Sequence, residues 1–251
     1  MAARNFIMTA TATVLPAGRK SRRGLFSIRM FSGIISADME NTKEAKYYAN
    51  SREDLIEHIP ASPKHVLDVG CGIGNVGRAI KKTMGSGVEV IGVEIFAGAA
   101  EKAMKDLDRV IVGDVEKVGI GVGKGYFDTI IYGDILEHLL DPWGLLKRHS
   151  EILRPGGRAI ASVPNIAHYR TIKMLRRKEW KYEKSGIMDV CHLRFFTIKS
   201  IRLMFEDAGF GLVKAGHIIS ASKSKKILNK VLRGLLTDYI TEQYIIVAEK
   251  K

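Results

Sequence analysis

Apolar residues in this chain come in short runs separated by polar and glycine-rich breaks. Val66–Val69, Val88–Glu94, Arg109–Asp114, Phe127–Asp134, Arg158–Val163, Phe210–Ile219 and Tyr239–Ala248 are rich in Val, Ile and Ala. Runs of this length and make-up predict strands. The segments between them space their apolar positions and predict helices over Tyr47–Ile59, Arg78–Met84, Phe96–Asp106, Asp141–Leu153, Thr171–Lys184, Ile198–Ala208 and Ser222–Leu236. In the first helix Tyr48, Leu55, Ile56 and Ile59 are the core candidates, and Pro60 and Pro63 end it. Asp141 can cap the fourth, with Pro142 in its first turn. Strand and helix alternate, which predicts an α/β fold. No run reaches the roughly 18 apolar residues that suggest a spanning helix.

One junction concentrates the chemistry. Val66–Val69 is followed at once by Gly70, Gly72, Gly74 and Gly77, and then by a helical segment. Strand, glycine turn and helix form the first unit of a nucleotide-binding α/β fold. The glycines let a ligand approach backbone that a Cβ would block. The helix start behind them offers free N–H groups. Two cofactor classes fit. Gly72-x-Gly74-x-x-Gly77 has the dinucleotide spacing, which is unspecific on its own. Asp68-x-Gly70-x-Gly72-x-Gly74 adds an acid inside the strand, for which a dehydrogenase has no need. Later strands also end in acids. Glu94, about 20 residues after the glycines, stands where a carboxylate accepts hydrogen bonds from both ribose hydroxyls of either adenosine cofactor. Asp114 and Asp134 close the third and fourth predicted strands.

The frame from Asp68 to Gly74 resembles the first motif of the class I S-adenosylmethionine-dependent methyltransferases. The order Gly133-Asp-Ile-Leu-Glu-His-Leu139, helix, Leu153-Arg-Pro-Gly-Gly157, strand is similar to the later motifs of that class. His192-Leu-Arg-Phe-Phe-Thr197 before a helix resembles bacterial and archaeal members often associated with surface-glycan or small-metabolite pathways. The likeness covers about residues 45 to 250. It implies a Rossmann-like doubly wound seven-stranded sheet, mostly parallel with a C-terminal antiparallel strand, and S-adenosyl-L-methionine as cofactor. It further implies that Asp68 orients the glycine loop and the amino end of the methionine, and that Gly70, Gly72 and Gly74 line the cofactor. Glu94 would take the ribose, Asp114 the adenine amino group, Val115 N–H the adenine ring, and Asp134 a further cofactor contact. Tyr48 or Arg52 can reach the ligand from the first helix.

A hydroxyl acceptor must lose its proton as it is methylated, so a general base helps. His138, His168 and His192 are the candidates, with His138 first because it follows the fourth strand at the expected mouth of the site. Asp134-x-x-Glu137-His138 also resembles a run in the ubiquinone-pathway O-methyltransferases, where such residues are associated with a divalent metal. The plainer assignment, Asp134 on the cofactor and the other two capping or packing, is preferred, so no metal is expected. The fourth strand lacks the Asn/Asp-Pro-Pro-Tyr/Phe run of methyltransferases acting on planar nitrogens. That points to an oxygen or aliphatic acceptor.

Charge raises the question of partners. The 251 residues carry 40 Lys and Arg against 27 Asp and Glu, a formal net charge of +13, which draws anionic partners. Residues 1–38 are basic and read either as a transit-like extension or as a start assigned too early, with little fixed structure. Residues 39–251 form the expected methyltransferase domain. Gly24–Ile35 is weakly amphipathic, a candidate for peripheral membrane contact. Thr171–Lys184 mixes cations with Trp180 and Tyr182 after the fifth strand, where the resemblance places acceptor-binding insertions. Cys71 and Cys191 show no metal-ligand spacing and suit a reducing cytosol. The leading expectation is a cytoplasmic enzyme that methylates an oxygen of a small-molecule, lipid-linked or sugar (glycan) acceptor of anionic character. An RNA-binding methyltransferase ranks second because no nucleic-acid-binding module is visible. A non-catalytic cofactor-binding subunit and a nicotinamide-dependent oxidoreductase follow.

Overall fold

The runs of apolar residues do form strands. In a computed structural model describing residues 52–251, they are β1 (His65–Val69), β2 (Glu89–Glu94), β3 (Arg109–Val112), β4 (Phe127–Gly133), β5 (Leu153–Pro164), β6 (Phe210–Ile219) and β7 (Thr241–Lys250). The expectations for residues 1–38, including Gly24–Ile35, and for Tyr48 fall outside the described residues. The strands make one seven-stranded sheet in the order β3-β2-β1-β4-β5-β7-β6. β1 to β5 pair in parallel, and β7 lies antiparallel between β5 and β6. Parallel strands covered on both faces require unbroken apolar runs, and β1 and β2 are buried almost end to end. The strand order turns back at β1, which pairs with both β2 and β4. Open α/β sheets bind ligands beyond the carboxyl ends of the strands at such a point.

The helices are α1 (Glu53–Ile56), α2 (Asn75–Met84), α3 (Ala97–Ala103), α4 (Pro142–Ile152), α5 (Tyr169–Arg176), α6 (Ile198–Asp207), α7 (Lys223–Val231) and α8 (Thr237–Ile240). Asp141 caps α4 as expected, accepting the Gly144 N–H at 2.9 Å, with Pro142 in the first turn. The helix expected over Ser222–Leu236 ends at Val231, Tyr239 and Ile240 belong to α8 rather than to the last strand, and two further boundaries bear on the site. The helix expected over Thr171–Lys184 stops at Arg176. Lys178 takes a left-handed φ of 59°, and Trp180 leaves the helical path to pack edge-on against Phe195, 5.4 Å between centroids. Tertiary contact outweighs the helical composition of Glu179–Lys184. The second is β5, which begins at Leu153. It carries Arg154-Pro-Gly-Gly157 as an irregularity, with Phe127 pairing Leu153 and Thr129 pairing Arg158.

Alternating residues divide β1 between two cores. Leu67 and Val69 face a layer with Tyr132, Phe205 and Phe210. Val66 faces the other, with Leu55, Ile80 and Val90. Burying each such side chain contributes about 1.5–3 kcal/mol. One polar pair sits inside: the Tyr132 hydroxyl meets His149 Nδ1 at 3.0 Å. Burial, then the Arg148 charge, pushes the His149 imidazole down to about 4, so the ring is neutral.

Helix α2 packs closely on its neighbours at Gly77. A Cβ there would overlap Leu107 Cδ2 and stand 3.0 Å from Val90 Cγ1. Gly77→Ala should therefore destabilise the protein by about 1–3 kcal/mol through overpacking. Urea unfolding of Gly77→Ala, Leu107→Ala and the double variant should show the double variant less destabilised than the sum of the singles. Strict additivity would mean that the two side chains do not compete for this space.

Candidate active site

Gly70, Gly72 and Gly74 have φ of 72°, 55° and 85°, a left-handed series that only glycine adopts without strain. The loop they form folds over the end of β2. Gly70 and Cys71 N–H groups donate to the Val93 carbonyl at 2.8 and 3.0 Å. Glu94 locks it there: Oε2 accepts the Gly72 N–H at 2.9 Å and Oε1 accepts the Phe96 N–H at 2.9 Å. Each carboxylate oxygen keeps a second acceptor site. Ile95 and Phe96, next in sequence, are 58% and 46% exposed. Large apolar side chains directly after a strand-end acid offer a surface for a flat ring, a signal the sequence carried and motif reading passed over.

Gly113 N–H donates to the Glu94 carbonyl at 2.8 Å, which brings the end of β3 to the same edge. Asp114, expected to meet adenine, is engaged in its own turn. It accepts the Glu116 N–H at 3.0 Å and pairs with Lys117 at 2.7 Å. The Lys117 hydrogen bond is the main reason its pKa is lowered. Val115 is buried in the core layer.

Asp68 is buried, and its Oδ2 has no hydrogen-bond partner. Burial, then the nearby Glu94 charge, pushes its pKa up to about 7, with Arg52 pulling the other way. Among the described residues Arg52 is the cation whose charge acts on Asp68. It caps α1 with a φ of 49° and pairs with Asp54 at 3.1 Å and with Asp134. Burial opposes the Arg52 charge, and these two carboxylates outweigh it and raise its pKa. Asp134 also has a left-handed φ, 53°. Its carboxylate, expected on the cofactor, accepts from Arg52, from the Ser162 hydroxyl at 2.8 Å and from the Gln243 amide. Ser162 of β5 and Gln243 of β7 were not foreseen, because no local pattern joins them to the fourth strand.

A third group lies on the 3-10 turn Leu136–His138. The stretch from Cys191 to Thr197 docks against it. Leu193 and Arg194 N–H groups donate to the Glu137 carbonyl at 2.8 and 3.0 Å, and the Arg194 side chain donates to the Leu140 carbonyl at 3.1 Å. Docking sets His192 edge-on to His138, 4.8 Å between ring centroids. His138 Nδ1 meets the Cys191 carbonyl at 3.1 Å, and His192 Nδ1 meets the Ile187 carbonyl at 3.0 Å. A carbonyl only accepts, so each neutral ring carries its proton on Nδ1 and keeps a lone pair on Nε2. Burial, then the adjacent His192, lowers the His138 pKa. Glu137 is buried, with neither carboxylate oxygen partnered. Burial and then Asp134 raise its pKa well above the usual range.

One ligand atom from each of Glu137, His138 and His192 lies within 4.8 Å of the others. The sequence favoured no metal and weighed Asp134, Glu137 and His138 only as the lesser reading; here His192 joins Glu137 and His138, while Asp134 pairs with Arg52. His168 is elsewhere. It is buried, faces the Ser220 carbonyl at 3.3 Å and packs on Tyr169 at 4.4 Å. Two imidazoles held from behind by carbonyls, with a buried carboxylate lacking any partner, fit a divalent cation. The glycine cradle, the spare acceptor sites of Glu94 and the unpartnered Oδ2 of Asp68 fit a cofactor with ribose hydroxyls and a positively charged end.

Comparisons with known proteins agree with this geometry. The chain is 30% identical over 115 residues to the ubiquinone biosynthesis O-methyltransferase of Coxiella burnetii, covering 43% of this chain and 47% of that protein. It is 30% identical over 99 residues to the 27-O-demethylrifamycin SV methyltransferase of Amycolatopsis mediterranei, 37% of this chain and 36% of that one. The chain thus spans about half the length, or less, of these curated relatives. A solved SAM-dependent methyltransferase from Archaeoglobus fulgidus superposes with a TM-score of 0.61 at 19% identity, covering 85% of this chain and 98% of that one. A family model, described as a methyltransferase domain, matches residues 42–215. Seven strands in this order, a glycine loop locked by Glu94 and that match lead to one conclusion: the chain belongs to the methyltransferase-domain family Methyltransf_23, whose members' class I fold implies S-adenosyl-L-methionine as cofactor.

Proposed function

We propose that this chain methylates a hydroxyl oxygen of a small-molecule acceptor, using S-adenosylmethionine, with the acceptor oxygen directed to Glu137, His138 and His192. The observation that carries this reading is the trio itself, two imidazoles and a buried carboxylate with no hydrogen-bond partner, brought together just past the end of β4. The names of the two O-methyltransferase relatives support oxygen as the acceptor atom.

S-adenosylmethionine, when bound, supplies an electrophilic methyl group on a sulfonium. The chain supplies position and proton transfer. Glu94 takes the ribose hydroxyls on its spare acceptor sites, and Ile95 and Phe96 flank the adenine. Asp68 gives the positive end of the ligand a carboxylate partner in a dry setting, where a charge pair is strongest. Arg52 and Asp134 pin α1 to the end of β4. His138 is kept neutral by burial, so its Nε2 is free to take the acceptor proton. With a divalent cation held by the trio instead, His138 would be a ligand rather than the base, and the cation would lower the hydroxyl pKa so that its proton leaves to solvent.

Three outcomes follow from this assignment. S-adenosylhomocysteine should raise the melting temperature and NAD should not. Glu94→Ala should weaken homocysteine-cofactor binding at least ~10-fold by calorimetry and cost about 1–3 kcal/mol of stability, because two backbone N–H groups lose their acceptor. Unchanged affinity would remove Glu94 from the site.

Asp68 should leave a pH signature. Its folded pKa of about 7 lies above the ordinary 3.8, so the folded chain retains a proton that the unfolded chain has released. Its contribution to stability is therefore lost as pH rises through that window. Asp68→Asn removes the titration. Urea unfolding without ligand should show the variant gaining on the parent by roughly 2–4 kcal/mol between pH 5 and pH 8. A constant difference across that range would mean Asp68 titrates normally.

The purified protein should carry about one divalent cation per chain by elemental analysis. Glu137→Gln and His192→Gln should each lose it, and chelator should lower turnover. Turnover untouched by chelation would dismiss the cation and leave His138 as the metal-free base.

A further inference from the structure

Helix α7 is amphipathic, and among the described residues none buries its apolar face. Ile227, Leu228, Val231 and Leu232 recur at the spacing that lines one side of a helix. Such a stripe ordinarily turns to a core. Here no residue of α7 is buried. Ile227 is 64% and Val231 71% exposed, and Leu235 in the following turn is 78% exposed. Lys223, Lys226 and Lys230 occupy the remainder of the helix surface, and Arg233 follows with a left-handed φ of 51°.

A second basic helix runs beside it. Lys225 Nζ of α7 sits 3.7 Å above the ring of Tyr169 in α5. Between these helices and α8 lies a groove of about 710 Å³, its wall mixing Lys173 and Arg176 with Ile172, Leu228 and Tyr239. No acidic residue occurs from Ile166 to Lys178 or from Ile219 to Thr237. The face is tied to the sheet rather than trailing from it. Asn165, fully buried, donates to the carbonyls of Asp238 and Thr241 at 2.7 and 2.9 Å. β5 ends just before α5, and β6, parallel to it, ends just before α7. The face therefore lies along the same carboxyl edge of the sheet as the glycine loop.

We infer that the α5–α7–α8 face docks on an anionic phospholipid bilayer, α7 lying in the interface with its aliphatic stripe among the acyl chains and its lysines at the headgroups. Charge complementarity selects the partner, since two helices, α5 and α7, that carry cations and no acidic residue fit a negatively charged leaflet. The aliphatic stripe selects bilayer over nucleic acid. Bases are gripped by aromatic stacking, whereas Ile, Val and Leu gain by entering hydrocarbon. The surface stands independently of the methyl-transfer assignment.

The test is cosedimentation of the full chain with vesicles. Those of phosphatidylglycerol and phosphatidylcholine in equal parts should bind at least ~10-fold more tightly than pure phosphatidylcholine. Lys223→Gln, Lys226→Gln and Lys230→Gln together should weaken binding about 100-fold, at about 1 kcal/mol per lysine. Ile227→Ser with Val231→Ser, which changes no charge, should weaken it ~10-fold or more. These side chains are exposed, so the variants should keep the parent's melting temperature and its response to S-adenosylhomocysteine. That response separates a failure of docking from a failure of cofactor binding. Absence of vesicle binding overturns the inference. So does binding that survives either set of substitutions, which would place it on the basic residues 1–38. Tighter binding to bulk tRNA than to vesicles, indifferent to the serine pair, overturns it in favour of RNA.

Discussion

Buried negative charge that the protein does not neutralise itself governs this molecule. Asp68, Glu94, Asp134 and Glu137 stand at or just past the carboxyl ends of β1, β2 and β4, and Arg52 is drawn among them. Arg52 is spent on Asp134 and Asp54, leaving one oxygen of Asp68 and both of Glu137 without partners. An unpaired buried carboxylate costs several kcal/mol or stays protonated, and both groups respond with raised pKa values. The cores on either side of the sheet, and the glycine loop clamped by Glu94, hold these groups in place against that cost. Ligands that relieve it carry positive charge. On the proposed assignment, a sulfonium with an ammonium group would do so beside Asp68, and a divalent cation would do so at Glu137. A dinucleotide would bring an anionic pyrophosphate to the same carboxylates. The electrostatics therefore divide the two cofactor classes that the glycine spacing leaves together.

The cofactor half was legible because its information is local. Strand, glycines and helix are contiguous, so backbone rules place Asp68 and Gly70 to Gly74 with no knowledge of the rest. Glu94 is one βαβ unit away, and the alternation of elements is enough to bring it to the loop. Local reading does not show which partners an acid already holds within the fold. Asp114 fits the adenine position by order along the chain, yet Lys117, one turn on, takes the carboxylate. Asp134 fits a strand-end contact, yet its ties run to Arg52, Ser162 and Gln243. The last two sit on β5 and β7, and only the sheet order makes them neighbours.

The acceptor half was less legible for the same reason. His138 and His192 are each a lone histidine in sequence, and a lone histidine is usually structural. What joins them is the Glu137 carbonyl, which receives the Leu193 and Arg194 N–H groups. Backbone bonds of this kind have no sequence signature, so His-Leu-Arg-Phe-Phe-Thr can be recognised as a motif without showing what it touches. His168, the third candidate, is turned to the Ser220 carbonyl by the path from β5 into α5.

The division between the halves has a physical consequence for specificity. The cofactor cradle is built from strand ends and one tight loop, elements with little freedom to vary once the sheet is formed. The trio is completed by a segment that leaves β5, turns at Lys178, packs Trp180 on Phe195 and returns to the Glu137 turn before α6 begins. His192 is in place only while that excursion is docked. Changes along Glu179–Val190 can therefore reshape what approaches His138 without disturbing Asp68 or Glu94. A constant donor site joined to an adjustable acceptor site follows from one being made of sheet edge and the other of a long connection held by few backbone bonds.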